Sequence, residues 1–342
     1  MRDITLGTTG ICVPQNGFGA LPIQRDDFDT SIKILQKAYD NGMRYFDTAR
    51  AYSDSEEKLG LAFANYDRSK IYIATKTGAT TPEEFWKHLE TSLHNLKTDY
   101  IDVYQFHCAQ QVFRPDDGTG MYEAMLEAKK QGKIRHIGIT AHKWKVALEA
   151  IESGLYETLQ FPFSYLSDDI ELDLVSRCKK NNVAFIAMKG LAGGLIRNSK
   201  AAMAYIYQFD NVLPIWGVQR ETELDEWLSY MENTPEMDDE IRTFIDKEKE
   251  ELKGDFCRSC GYCMPCPQGI IINQCARMSL MLRRAPTAAW TNDYWQNEMK
   301  KIETCLHCGA CAAKCPYELN TPELLRKNYE DYQKVISGQI EV

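Results

Sequence analysis

The chain has 342 residues, enough for one large domain and a smaller one at about 150 residues apiece, and 44% hydrophobic with 26% charged residues is ordinary globular composition. With 40 Lys and Arg against 49 Asp and Glu the formal charge is −9, which repels phosphate backbones and argues against a nucleic-acid partner. No apolar run approaches the roughly 18 residues of a membrane span. The opening MRDITLGTTG lacks the basic and apolar regions of a secretory signal, so a cytoplasmic location is expected.

In chain order, short β-rich runs alternate with helical ones. Strands are predicted at 13–20, 43–47, 71–76, 101–107, 135–139, 157–161, 183–188 and 212–216. Between the first two, 30–41 carries Ile32, Leu35, Ala38 and Tyr39 at helical spacing, and Gly42 after Asn41 reads as a helix stop. The stretch 81–96 opens with a threonine cap, a proline at the first helical position and two glutamates that favour the helix dipole. Strands separated by helices imply parallel pairing, because each crossover needs a helix. Eight such units favour a closed (β/α)8 TIM barrel over an open sheet, and no G-x-G-x-x-G follows the first strand. The α/β barrel is expected over 1–234, a charged linking helix over 235–253, and a small α-helical, ferredoxin-like iron–sulfur domain over 254–342, closed by a helix from Thr321.

Cysteine is the abnormal residue. There are 12, and eight of them form two runs: Cys257, Cys260, Cys263 and Cys266, then Cys305, Cys308, Cys311 and Cys315. In a cytosolic chain, C-x2-C repeats point to metal rather than disulfides. The second run, C-x2-C-x2-C-x3-C-P, is the one bacterial ferredoxins use for 4Fe-4S clusters, in which the cysteine before proline reaches the other cluster. Cys257, Cys260, Cys263 and Cys315 are therefore expected to hold one cluster, and Cys305, Cys308, Cys311 and Cys266 the second. The first run is one residue shorter before Cys266. The rival assignment is two zinc sites, although zinc ribbons separate their C-x2-C pairs by a long loop. His307 is expected to lie beside the second cluster or in solvent rather than to ligate it. Cys12, Cys108, Cys178 and Cys275 read as inert buried thiols.

Four residues fall at or just beyond predicted strand ends: Asp47, Tyr52 in the following loop, Lys76 and His107. In a (β/α)8 barrel those ends open on one mouth. There, a tyrosine whose pKa a lysine lowers can protonate a carbonyl oxygen; Asp47 orients the lysine, and His107 donates a second hydrogen bond. Singly, each has a blander reading: a helix cap, a solvated lysine, a satisfied interior histidine. Their joint placement favours catalysis.

The strings FDTARAYSDSEEKLG at 46–60, IYIATK at 71–76, LKTDYIDVYQFH at 96–107 and KIRHIGI at 133–139 resemble the aldo-keto reductase family over about residues 4 to 232. The whole layout is similar to the family branch with a C-terminal ferredoxin-type 4Fe-4S module. The resemblance implies extended binding of NADP(H) or NAD(H) and makes Asp47, Tyr52, Lys76 and His107 the catalytic tetrad, with Tyr52 the general acid. It also puts Thr140 and Gln160 on the nicotinamide carboxamide. Met188 stands where an aromatic residue usually stacks on the ring. Lys189, Gly190, Leu191, Ala192, Gly193 and Gly194 resemble the loop over the pyrophosphate. The segment from Gly217, with Arg220 facing a 2′-phosphate or plain solvent, is similar to the adenosine end, and Trp227 replaces an asparagine there.

Hydride transfer moves an electron pair, whereas each cluster moves one electron. Three functions are open. The barrel can reduce a small carbonyl, or oxidise an alcohol, while the two 4Fe-4S clusters support the structure. The clusters can instead bring electrons from a ferredoxin or other redox partner. Finally, a catalytically silent barrel can serve as a scaffold for an electron-transfer module. An oxidoreductase is the expected outcome.

Overall fold

The computed structural model of the protein describes residues 1–24, 26–252 and 256–342. An antiparallel hairpin of β1 (Asp3–Thr5) and β2 (Cys12–Pro14) precedes the barrel strands. These are β3 (Gly17–Gly19), β4 (Tyr45–Asp47), β5 (Tyr72–Thr77), β6 (Ile101–Phe106), β7 (Ile134–Thr140), β8 (Thr158–Pro162), β9 (Ala184–Met188) and β10 (Val212–Gly217). They close into a barrel in which every neighbouring pair is parallel, β10 returning to β3. The intervening helices are α1 (Phe28–Asp40), α2 (Ser55–Ala62), α3 (Pro82–Leu96), α4 (Met121–Lys130), α5 (Trp144–Ser153), α6 (Asp169–Lys180), α7 (Ser199–Tyr207) and α8 (Glu221–Glu232). The barrel expectation holds, with one strand redrawn. The run predicted at 13–20 splits between β2 and β3. At the break, the Gln15 amide donates to Phe209 O and Val212 O at 2.6 and 2.7 Å, and that of Asn16 to Trp227 O at 3.0 Å, so both side chains turn away from a continuous ladder.

Local chemistry sets the helix ends as expected. Asp27 caps α1 by accepting from Thr30 N at 2.8 Å, and Gly42 follows its end at φ 103°. Thr81 caps α3 with Pro82 in the first turn. Inside the barrel an apolar layer of Tyr45, Ala74, Val103, Ile186 and Leu213 meets Ile4, Leu6, Ile11 and Val13 of the hairpin region, which plugs the N-terminal end. The C-terminal ends of the strands carry the polar side chains described below.

The chain divides into two compact units, Met1–Gly190 with Ser199–Arg242, and Leu191–Asn198 with Thr243–Val342. The division falls inside α9 (Asp239–Glu251), which occupies most of the expected linking helix, and the glycine-rich segment after β9 belongs to the second unit. The boundary expected at 253 and 254 lies outside the described residues. The second unit contains α10 (Ile272–Cys275), α11 (Met278–Arg284), α12 (Asp293–Lys300), α13 (Ala310–Ala313) and α14 (Thr321–Ile336) around a core that includes Leu195, Ile272, Met278, Leu282 and Leu325. No described helix is long and apolar enough to cross a membrane.

Candidate active site and thiol cavities

Register places the first two predicted residues side by side. Asp47 ends β4, and on the adjacent β5 the Lys76 ammonium donates to Asp47 Oδ1 at 2.6 Å and Thr48 O at 2.7 Å. Both side chains are buried. Burial pushes the Asp47 carboxyl up, while Lys76, Gln160 and Gln105 pull it back down. Gln105 Nε2 also donates to Gln160 Oε1 at 3.2 Å, so strands β4, β5, β6 and β8 share one polar layer. Gly138 makes room for it: a Cβ there would lie 2.2 Å from Thr158 Oγ1 and 2.9 Å from Gln105 Cγ.

Tyr52 rides on a braced loop. Thr48 N donates to Ala74 O at 2.8 Å and Arg50 N to Lys76 O at 3.1 Å, prolonging the ladder along β5. Buried Glu56 then accepts from Arg50 at 2.6 Å and from Thr75 Oγ1 at 2.7 Å. Ser55 Oγ bonds Thr48 Oγ1 at 2.8 Å and Ala20 O at 2.9 Å. These bonds set the half-buried Tyr52 ring edge-on to His107, centroids 5.7 Å apart, with Lys76 Nζ 5.2 Å from its centre. Among the described residues the Tyr52 hydroxyl has no hydrogen-bond partner. The structure thus brings all four predicted residues together.

The electrostatics depart from expectation in one respect. Lys76 was expected to make the phenol more acidic; instead burial pushes the Tyr52 pKa up, with the Asp47 and Cys108 charges adding to it. The lysine's hydrogens are spent on Asp47 and Thr48, and its charge reaches the phenol only across the ring. Burial, aided by Lys76, pushes His107 down to about 3. At neutral pH the pair is an intact phenol beside a neutral imidazole.

The residues expected at the dinucleotide are more scattered. Thr140 ends β7, buried, its Oγ1 accepting from Cys108 N at 2.7 Å. Gln160 is buried in the polar layer just described. Met188, at the end of β9, and Lys189, at φ 58°, are half-buried. Gly190 is pressed against the Trp216 ring, where a Cβ would lie 2.4 Å away. Leu191 falls in the second unit. Gly217 is exposed at the end of β10, and Arg220, also exposed, caps α8 and pairs with Glu223 at 2.6 Å. Trp227 stacks on Trp216 at 3.9 Å and is buried, which accounts for an indole where the resemblance implies an asparagine. The barrel mouth nevertheless suits a neutral carbonyl ligand, since its one tetrad carboxylate is sealed by Lys76, Gln105 and Gln160.

Two residues at this mouth, Gln105 and His142, are absent from the expectations drawn from sequence, and a third, Cys108, was read there only as an inert thiol. Gln105 lies two positions before His107, a spacing that strand alternation makes legible. His142, two beyond Thr140, is buried and pushed well below its ordinary pKa by burial, then by Lys189 and His107. Cys108 is half-buried at φ 55° and acts on Tyr52, and Cys12 is exposed, so these two are not interior thiols as expected; Cys178 and Cys275 are.

In the second unit none of the cysteines is in a disulfide. Cys257, Cys260, Cys263 and Cys315 line one cavity with Arg258 and Tyr317. Cys266, Cys305, Cys308 and Cys311 line another, which Cys263 also borders. The two runs fold alike: Ser259 and Gly261 in the first, and His307 and Gly309 in the second, take positive φ, the conformation that turns successive N–H groups inward. His307 thus occupies the position of Ser259 and is exposed, in keeping with a residue that does not ligate. Burial raises the Cys257, Cys263 and Cys311 thiols, with neighbouring cysteines adding to the shift. Four thiols around each cavity are the donor set that a 4Fe-4S cluster takes.

Comparison with known proteins agrees with this geometry. The model of the Aldo/keto reductase family matches residues 15–210, and that of a 4Fe-4S dicluster domain matches residues 256–320. Among curated proteins, probable aldo-keto reductase 1 of Glycine max is 28% identical over 218 residues, which cover 57% of this chain and 60% of that protein. The aldo-keto reductase YhdN of Bacillus subtilis is 29% identical over 234 residues, covering 62% of this chain and 68% of its own length. A solved aldo-keto reductase from Bacillus halodurans, in its holo form, superimposes on 72% of this chain and 96% of its own with a TM-score of 0.64 at 22% identity, a likeness of fold.

Proposed function

Because the chain belongs to the aldo/keto reductase family and carries a 4Fe-4S domain, we propose that its barrel interconverts a small carbonyl compound and its alcohol, with Tyr52 as general acid and base. The chain is an oxidoreductase, and its family implies NAD(P)H. What supports Tyr52 is its convergence with His107 and the buried Lys76–Asp47 pair at one end of the barrel.

When bound, the reduced dinucleotide supplies a hydride. In the reducing direction the Tyr52 hydroxyl gives its proton to the carbonyl oxygen as charge builds there. Its raised pKa ensures that the proton is present over the physiological range. Neutral His107 donates an N–H to the same oxygen and orients it. Lys76, held by Asp47 and Thr48, lies close enough to the ring to offset part of the cost of the phenolate. In the oxidising direction the steps reverse: Tyr52, in the phenolate form that carbonyl reduction leaves, takes the alcohol proton and returns to the phenol. Tyr52→Phe is expected to lower carbonyl reduction by about a hundredfold or more, with the iron–sulfur absorption unchanged. Turnover that survives the substitution would remove Tyr52 from the mechanism.

We assign one 4Fe-4S cluster to Cys257, Cys260, Cys263 and Cys315 and another to Cys266, Cys305, Cys308 and Cys311, the sets that line the two cavities. Such clusters supply single electrons. A ferredoxin or similar carrier is the proposed partner. An anaerobic assay comparing NADPH, NADH and reduced ferredoxin as donors separates electron delivery from structural support. Fluorescence titration with the nucleotides is expected to show binding, and its absence would favour the silent-scaffold alternative.

A further inference from the structure

Arg277 is a buried arginine of the second unit whose hydrogens are not all taken up by the described residues. It directly precedes α11 and is 2% exposed. Its Nη2 donates to Gly193 O at 2.6 Å and touches Met281 Sδ at 2.9 Å, while Nε and Nη1 have no partner among the described residues. A buried guanidinium with unspent donors is costly unless an anion faces it. No carboxylate pairs with it among the described residues. What lies nearby is Ser259, between two cysteines of the first run: a Cβ on Gly193 would meet Arg277 Nη1 at 3.0 Å and Ser259 Cβ at 3.9 Å, and Ser259 N donates to Cys257 Sγ at 3.4 Å.

We infer that Arg277 is the buried counter-charge of the cluster held by Cys257, Cys260, Cys263 and Cys315, a positioning residue that raises that cluster's reduction potential. The inference rests on the ligand assignment proposed above. A cluster bound by four thiolates is anionic and gains one further negative charge on accepting one electron. A fixed cation at its edge therefore favours the reduced form, and its low-dielectric surroundings strengthen the effect. Arg258, the arginine that lines this cavity, has its guanidinium over the Phe256 and Tyr317 rings at 4.9 and 4.7 Å. The anchor to Gly193 keeps the Arg277 guanidinium from swinging out to water.

The test is a redox titration of the anaerobically purified full chain, followed by electron paramagnetic resonance, with iron and sulfide counted in each sample. In R277Q one cluster's midpoint is expected to fall by at least about 59 mV, a tenfold change in a one-electron equilibrium. The other midpoint should stay in place, and R277K should stay near the native value. Full iron with both midpoints unmoved in R277Q would overturn the inference. If R277Q loses the cluster, R277K decides: a retained cluster at the native potential supports the charge requirement, and its loss there as well reduces Arg277 to packing. Native protein without iron and sulfide would instead sink the ligand assignment itself, a failure visible before any substitution is made.

Discussion

Burial pushes Tyr52 up and His107 down, and each is left uncharged at neutral pH. This has a consequence for acid stability. The folded His107 pKa of about 3 lies below its ordinary 6.5, so between those values the unfolded chain binds the extra proton. The contribution is fully present above pH 6.5 and is lost as pH falls towards 3. His142 is shifted the same way and adds to it. In His107→Gln the decline of the urea midpoint over this range should become shallower, the histidine's share being about 1.4 kcal/mol per pH unit at most. An unaltered decline would mean the folded imidazole is already charged. At this scale the convergence of Asp47, Tyr52, Lys76 and His107 was legible from residue types at strand ends. The direction of the Tyr52 shift was not, because it depends on how much water the fold removes and on where Lys76 spends its hydrogens.

Helix α2 shows what an element needs to hold the Tyr52 loop. Gly60 faces the end of α3 so closely that a Cβ would lie 2.1 Å from Asn95 O and 2.8 Å from Leu96 C. Gly60→Ala should therefore cost about 2 kcal/mol in chemical denaturation, through overpacking against backbone that cannot yield. Gly78→Ala, with nothing within 4 Å of its added methyl, should cost far less and serves as the control. Equal losses would show that α2 and α3 can slide apart. Most elements were readable from alternation and caps: Asp27 and Thr81 do at α1 and α3 what their chemistry suggests. The hairpin was not, since β1 has three residues and no periodicity can declare itself in so few. Nor was the split of the first strand, which Gln15 and Asn16 impose through partners some two hundred positions away.

For the whole molecule the sharpest expectation is the crossing of ligands between the two cysteine runs. Iron and acid-labile sulfide should each number about eight per chain. Cys315→Ser should remove the cluster whose other ligands lie in the first run, and Cys266→Ser the one held by the second, as read from the two clusters' distinct paramagnetic signals. If each substitution instead abolished the signal of its own run, the crossing would be wrong. That the cysteines fall around two cavities in these sets was legible from spacing alone. What spacing could not reveal is that residues 191–198, between β9 and α7, pack with the iron-binding unit: Leu195 lies in its core, Arg277 holds Gly193 O and Arg284 holds Leu195 O at 2.9 Å. A protein cut after Arg242 would keep that stretch and lose Arg277 and Arg284, so proteases should nick it there first. For the same reason the tail is no detachable appendage: transplanted to another barrel, it would need a loop some fifty residues upstream tailored to those two arginines.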